Sequence, residues 1–202
     1  DLDDPWSLNW LPDGRMLITE KPGNLRIIEA DKLDPSPISG IPAVYNQGQG
    51  GLLEVAPHPD YARNGWIYLA YSDPAQDSSG RIVSMTKIVR GRIRDHRWVN
   101  EQTIWQADIS TYRSGGPHYG CRIAFDQDNM LYFTHGERGQ QDKAQDLSLP
   151  NGKIYRLHDD GRIPEDNPFL NTADALPSIW SYGHRNPQGL VFEPATGLLW
   201  ET

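Results

Sequence analysis

Short apolar runs recur along the whole chain, and each is broken by a cluster of Pro, Asp, Asn or Gly. Residues 7–19 set the plan. Ser7-Leu8-Asn9-Trp10 reads as a strand, Leu11-Pro12-Asp13-Gly14 as a turn, and Arg15-Met16-Leu17-Ile18-Thr19 as a second strand. The same strand, turn, strand pattern returns in residues 53–71, where Pro57-His58-Pro59-Asp60 supplies the turn. It returns again in residues 122–134 around Asp126-Gln127-Asp128-Asn129, and in residues 189–200 around Glu193-Pro194-Ala195-Thr196-Gly197. No long stretch carries the 3.6-residue apolar period of an amphipathic helix, so the pattern predicts an all-β chain.

The copies begin near residues 7, 53, 122 and 189. Intervals of roughly 45 to 70 residues fall in the range of β-propeller blades with variable loops. Further strands are expected at Leu25-Arg26-Ile27-Ile28, at residues 82–89 and at residues 153–157, with hairpin turns at Gly23-Asn24 and Asn151-Gly152. Residues 35–40 and 73–80 read as exposed insertions. Four blade starts with only two strands of the last predict a single propeller domain over 1–202 that is incomplete at its C-terminus. A propeller hides its sheet edges by closing on itself, so the stretch is expected to be part of a longer protein.

Composition narrows the function classes. The chain has 202 residues, 37% hydrophobic and 10% aromatic, enough for a substantial core. Seven Trp and nine Tyr against four Phe favour half-buried strands with polar aromatic tips. A net charge of −8 argues against nucleic acid and against an anionic membrane surface. The single Cys121 excludes an internal disulfide framework, and no apolar run is long enough to span a bilayer. No basic, apolar leader opens the sequence; either the protein is cytoplasmic or a leader has been removed.

Three loops that lead into blades carry candidate chemistry. Before the second blade, Gly48-Gln49-Gly50-Gly51 allows close backbone approach and offers the Gln49 amide. Before the third, Gly115-Gly116-Pro117-His118-Tyr119-Gly120 mounts His118, a residue type suited to general-base work near neutral pH. Before the fourth, residues 181–189 pack His184, Arg185 and Asn186 between Gly183, Pro187 and Gly189. Taken alone, each is also what a connecting loop or a structural histidine looks like. Equivalent loops of a propeller converge on one face, however, so Gln49, His118, Arg185 and Asn186 are expected around one pocket. His58 belongs to the opposite end and reads as structural. Cys121 reads as a small buried residue, and Asp126–Asn129 as a turn lacking the glycine and distal Glu of an EF-hand. Zinc spacing, a P-loop and a nucleophile elbow are all missing from the sequence.

These motifs resemble the soluble pyrroloquinoline-quinone (PQQ)-dependent sugar dehydrogenases, the glucose/sorbosone dehydrogenase family. The resemblance runs in order through Pro5-Trp6-Ser7-Leu8, Leu11-Pro12-Asp13-Gly14, Gly48-Gln49-Gly50-Gly51-Leu52-Leu53, His58-Pro59-Asp60, the His118 segment, Ala144-Gln145-Asp146, Gly152-Lys153, Asp160-Gly161-Arg162-Ile163-Pro164 and residues 182–190. It implies a six-bladed β-propeller of which this chain covers roughly the first half. It implies oxidation of an aldose at the anomeric carbon to a lactone, with His118 as base and hydride passing to the quinone. Arg185 takes the position that contacts the quinone oxygens, and Gln49 and Asn186 match cofactor-pocket positions. Calcium is implied too, its ligands falling after position 202, so no metal ligand is assigned and this stretch alone is expected to be inactive. In the strictly glucose-oxidising members an acidic residue precedes the histidine. Pro117 stands there, which points to the broad-specificity aldose sugar dehydrogenase branch. The resemblance also implies a periplasmic or secreted protein; it leaves the preferred sugar and the electron acceptor open. The competing readings are a non-catalytic propeller that binds a protein or glycan, and a lactonase-type propeller, whose chemistry wants carboxylates around a metal.

Overall fold

Alternating apolar and polar residues form antiparallel sheets because each strand pairs with the next strand along the chain. The computed structural model describes residues 1–202. The first sheet runs in sequence order through β1 (Pro5–Trp10), β2 (Met16–Glu20), β3 (Asn24–Glu29) and β4 (Lys32–Leu33). The second holds β5 (Leu52–Pro57), β6 (Ile67–Gln76), β7 (Ile82–Arg94) and β8 (Arg97–Gln106). The third holds β9 (Gly120–Phe125), β10 (Leu131–His135), β11 (Lys153–Leu157) and β12 (Ile179–Tyr182). A last hairpin pairs β13 (Leu190–Phe192) with β14 (Leu199–Glu201). Helix is confined to α1 (Tyr61–Asn64), ended by Gly65 in the left-handed region, and two short 3-10 turns. This is the all-β blade architecture of a propeller.

Several local expectations change. Residues 73–76 are not part of an insertion: β6 continues to Gln76, which pairs with Ile82, and only the short turn beyond it is loop. Residues 35–40 are not simply exposed either. Ile38 is buried, its N–H bonds the Leu25 carbonyl, and Ser39 bridges to Arg97 of the second sheet. Asn151-Gly152 is no tight hairpin turn, because residues 136–152 form a long connection between β10 and β11. The outer strand β8 escapes a sequence reading because only Trp98 and Ile104 of its ten residues are buried.

The second sheet is buried on both faces. Along β6, Tyr68 and Ala70 join the core shared with the third sheet, while Ile67, Leu69 and Tyr71 join the core shared with the first. That explains why residues 67–71 read as a continuous apolar run rather than as alternation. Between the second and third sheets an aromatic stack forms, with Phe133 and Tyr155 rings 4.9 Å apart and Trp105 4.7 Å from Tyr155. Such ring pairs add to the burial energy of their faces.

A hydroxyl on the second strand of each four-stranded sheet repeats one device. Thr19 Oγ1 accepts from Ser7 N–H (3.0 Å) and donates to the Leu53 carbonyl of the neighbouring sheet. Ser72 Oγ accepts from Gly51 N–H (2.7 Å) and donates to the Tyr45 carbonyl (2.7 Å). Thr134 Oγ1 accepts from Arg122 N–H (2.9 Å) and donates to the Pro187 carbonyl (2.9 Å). All three lie at or beside a register shift in the first strand. The bulge frees an N–H, the hydroxyl satisfies it, and the same hydroxyl pins the adjoining loop.

Leu69 is fully buried between the first two sheets. Leu69→Ala in the full-length protein is expected to cost about 2–5 kcal/mol by urea unfolding; a loss under about 1 kcal/mol would contradict this packing.

Candidate functional site

Antiparallel meanders dictate which loops share a face. Loops entering the first strand of a sheet lie at the same end as loops joining its second strand to its third. At that end the structure gathers residues 45–51, 113–119, 136–152 and 183–189. The turns carrying His58, Asp126–Asn129 and Asp159 lie at the opposite end.

Direct bonds lock the four loops together. The Gln49 side-chain oxygen accepts from His118 N–H at 2.7 Å, and Gln49 N–H bonds the Gly116 carbonyl at 2.7 Å. Asn186 Oδ1 accepts from Gly120 N–H at 3.0 Å. The Arg185 carbonyl accepts from Glu137 N–H at 2.8 Å, and the Glu137 carbonyl accepts from Asn151 Nδ2 at 2.9 Å. Asn151 is held in turn by Lys153, whose buried ammonium donates to the carbonyls of Asn151, Ala144 and Lys143. Burial pushes that amine down to about 8, partly opposed by Asp146.

The central pair is His118 and Glu137. His118 Nδ1 bonds Glu137 Oε1, with the imidazole largely buried and the carboxyl almost wholly so. A carboxylate at Nδ1 makes that nitrogen the donor and leaves Nε2 with a free lone pair, an assignment made from the bonding partner. His118 itself sits in the left-handed region at φ 55°. A β-carbon on Gly136 would collide with the His118 carbonyl, so only glycine lets the two loops approach this closely. Glu137 Oε2 is buried and has no hydrogen-bond partner. An unpaired buried carboxylate oxygen is costly, and such costs collect at functional sites.

Gln49, His118 and Asn186 thus meet through direct bonds. Arg185 joins them through its backbone, while its side chain is exposed and makes no hydrogen bond or ion pair with the protein. In Gln49 and Asn186 the side-chain oxygens are committed to the His118 loop, which leaves their NH₂ groups facing other demands. His184 is not in this cluster: Nδ1 meets Glu201 and Nε2 meets Ser181, each at 3.0 Å. His58 is buried and holds the turn at the far end through Asp60 N–H and Asn64. Cys121 is buried and its thiol is pushed up to about 12 by that burial, which keeps it protonated. His135 is likewise buried, pushed down to about 3 by desolvation and then by Arg138, and stays neutral.

Glu137 was not singled out by the sequence. The available signal was topological: once residues 131–135 are a second strand, the loop after it must rise to the face that carries His118. No group of three or more His, Cys, Asp or Glu side chains is placed to hold a metal ion. Gly136→Ala is expected to cost about 1–3 kcal/mol in urea unfolding, the range for forcing extra volume into a packed site. A neutral effect would contradict the close approach of the two loops.

Known proteins of similar sequence and fold identify the family. The aldose sugar dehydrogenase YliI of Escherichia coli (strain K12) is 42% identical over 204 residues, covering 98% of this chain and 53% of that protein. A solved structure described as a glucose dehydrogenase is 43% identical with a TM-score of 0.92, covering 99% of this chain and 61% of that one. The PQQ-bound form of aldose sugar dehydrogenase from Streptomyces coelicolor is 30% identical with a TM-score of 0.80, covering 100% of this chain and 56% of that one. The chain spans about half the length of the curated relatives it matches. Three four-stranded blades and a hairpin in that share accord with a six-bladed whole. The profile of the Glucose / Sorbosone dehydrogenase family matches residues 2–202, and the chain belongs to that family.

Proposed function

We propose that the protein carrying these residues oxidises aldose sugars at the anomeric carbon to lactones, using pyrroloquinoline quinone and calcium. The observation that carries this reading is the His118–Glu137 pair beside the Arg185 loop. Glu137 holds Nδ1–H and leaves Nε2 free, and Nε2 takes the proton of the anomeric hydroxyl as hydride leaves the same carbon. Glu137 then stabilises the imidazolium that forms, as carboxylates do behind catalytic histidines. The quinone, when bound, supplies the two-electron acceptor for that hydride.

Residues of this chain suit such a group. PQQ is an anionic tricarboxylate, and the site face offers the exposed Arg185 cation with the amide NH₂ groups of Gln49 and Asn186. A guanidinium near the quinone oxygens stabilises negative charge that develops there. Calcium has no comparable support. Glu137 is the single carboxylate at the centre of the cluster and already serves His118, so these residues do not make a calcium site. In this reading the ion is held by residues of the longer protein, which acts in the periplasm or outside the cell, as the resemblance implies. A propeller that only binds a partner needs no buried carboxylate behind an imidazole, and a lactonase site wants more carboxylates than this face supplies.

The test is aldose-dependent dye reduction by the full-length protein with added quinone and calcium. His118→Ala is expected to lower turnover by about 10²–10⁴, the usual worth of a general base; turnover within a few-fold of the parent would remove His118 from the reaction. Chelation with EDTA is expected to abolish the same activity and calcium, not magnesium, to restore it. Full activity after exhaustive chelation would exclude the ion.

A further inference from the structure

Arg138 follows Glu137 in the chain, and its guanidinium is buried without a carboxylate partner. A buried cation is normally paired, because taking a charge out of water is otherwise unfavourable. Here the charge is met only by neutral acceptors, and the three nearest are on the segment that carries His118. Nη1 donates to the Pro117 carbonyl, and Nη2 to the Gly115 carbonyl and to Tyr119 Oη, both at 2.9 Å. Longer bonds of 3.3 Å reach the carbonyl and hydroxyl of Ser84 on β7. The guanidinium also lies 3.6 Å from the Tyr119 ring centroid, a cation–π distance. Nε has no partner, and burial lowers the basicity of the group.

That arrangement is costly as a stabiliser and effective as a clamp. Residues 114–118 belong to no sheet, and two glycines and a proline precede His118. Without an outside hold, this segment has no reason to keep His118 at φ 55° with its ring on Glu137. Gln49 grips it from one side, at Gly116 and His118. Arg138 grips it from the other, at Gly115, Pro117 and Tyr119, and is itself fixed to Glu137 by one peptide bond.

We propose that Arg138 is the positioning residue of the site. Its fork holds the His118 loop in register with the adjacent Glu137, so that imidazole and carboxylate are set by neighbouring residues of a single short segment. This rests on the proposed general-base role for its kinetic consequence, but the geometric claim stands separately.

Arg138→Met and Arg138→Lys in the full-length protein test it, with two readouts. In dye reduction with quinone and calcium, kcat is expected to fall on the order of 10- to 100-fold, as for small misplacements of a catalytic group. KM should stay within about threefold, and the lysine variant should lose less than the methionine variant. In NMR spectra, the downfield imidazole N–H proton of His118, identified by its loss in His118→Ala, should vanish or broaden in Arg138→Met while the dispersed amide spectrum persists. A variant that keeps both that proton and a kcat within twofold overturns the proposal. If Arg138→Met fails to fold, Arg138→Lys decides by the same two criteria. If the parent protein shows no aldose turnover, the functional reading fails, and the imidazole proton alone decides the positioning claim.

Discussion

Everything at the site depends on how closely two loops approach: the carbonyl of His118 occupies the space that a β-carbon on residue 136 would fill. Glycine at 136 is therefore a condition for the His118–Glu137 contact. The rest of the local structure keeps that approach closed. Arg185 and Asn151 hold the N–H and the carbonyl of Glu137, Asn186 holds Gly120, and Gln49 holds His118 from the next blade. Four loops from three sheets meet in one bonded network, and networks of this kind fix geometry better than isolated pairs do.

The blades beneath explain why the network can be rigid. The second sheet is packed on both faces, so its loops start from strands that cannot shift without disturbing two cores. The hydroxyls of Thr19, Ser72 and Thr134 then tie each sheet to a loop or strand beyond it. Glu54 makes a further link, accepting from Ser7 and from Arg122 at 2.7 Å each, while Arg122 also donates to the Gln188 carbonyl. Burial raises the basicity of that carboxyl, opposed by Arg122. The loop bearing Arg185 and Asn186 is thus anchored to the first strands of the second and third sheets.

The strand–turn–strand period of the fold was legible because a half-buried strand writes its exposure into alternating residues. β8 was not, since a strand at the outer edge buries little and reads as polar loop. The convergence of Gln49, His118 and the Arg185–Asn186 loop followed from placing each at the start of a first strand. Glu137 and Arg138 were hidden because their loop joins second and third strands; its length and its 3-10 turn carry no apolar period. Their chemistry also lies in contacts more than fifteen residues away along the chain, which no local pattern records. Arg138 in particular carries no sequence signal of its own, and only the fold shows its burial and its acceptors.

The proposed role of Glu137 is to hold His118 with Nδ1 protonated and Nε2 free to accept a proton. Nitrogen-15 NMR of imidazole-labelled, full-length protein near neutral pH measures this directly, with His118→Ala to assign the signal. That role predicts the Nδ1–H tautomer in the parent and its loss in Glu137→Ala. An Nε2–H tautomer in the parent, or a tautomer unchanged in Glu137→Ala, would contradict it.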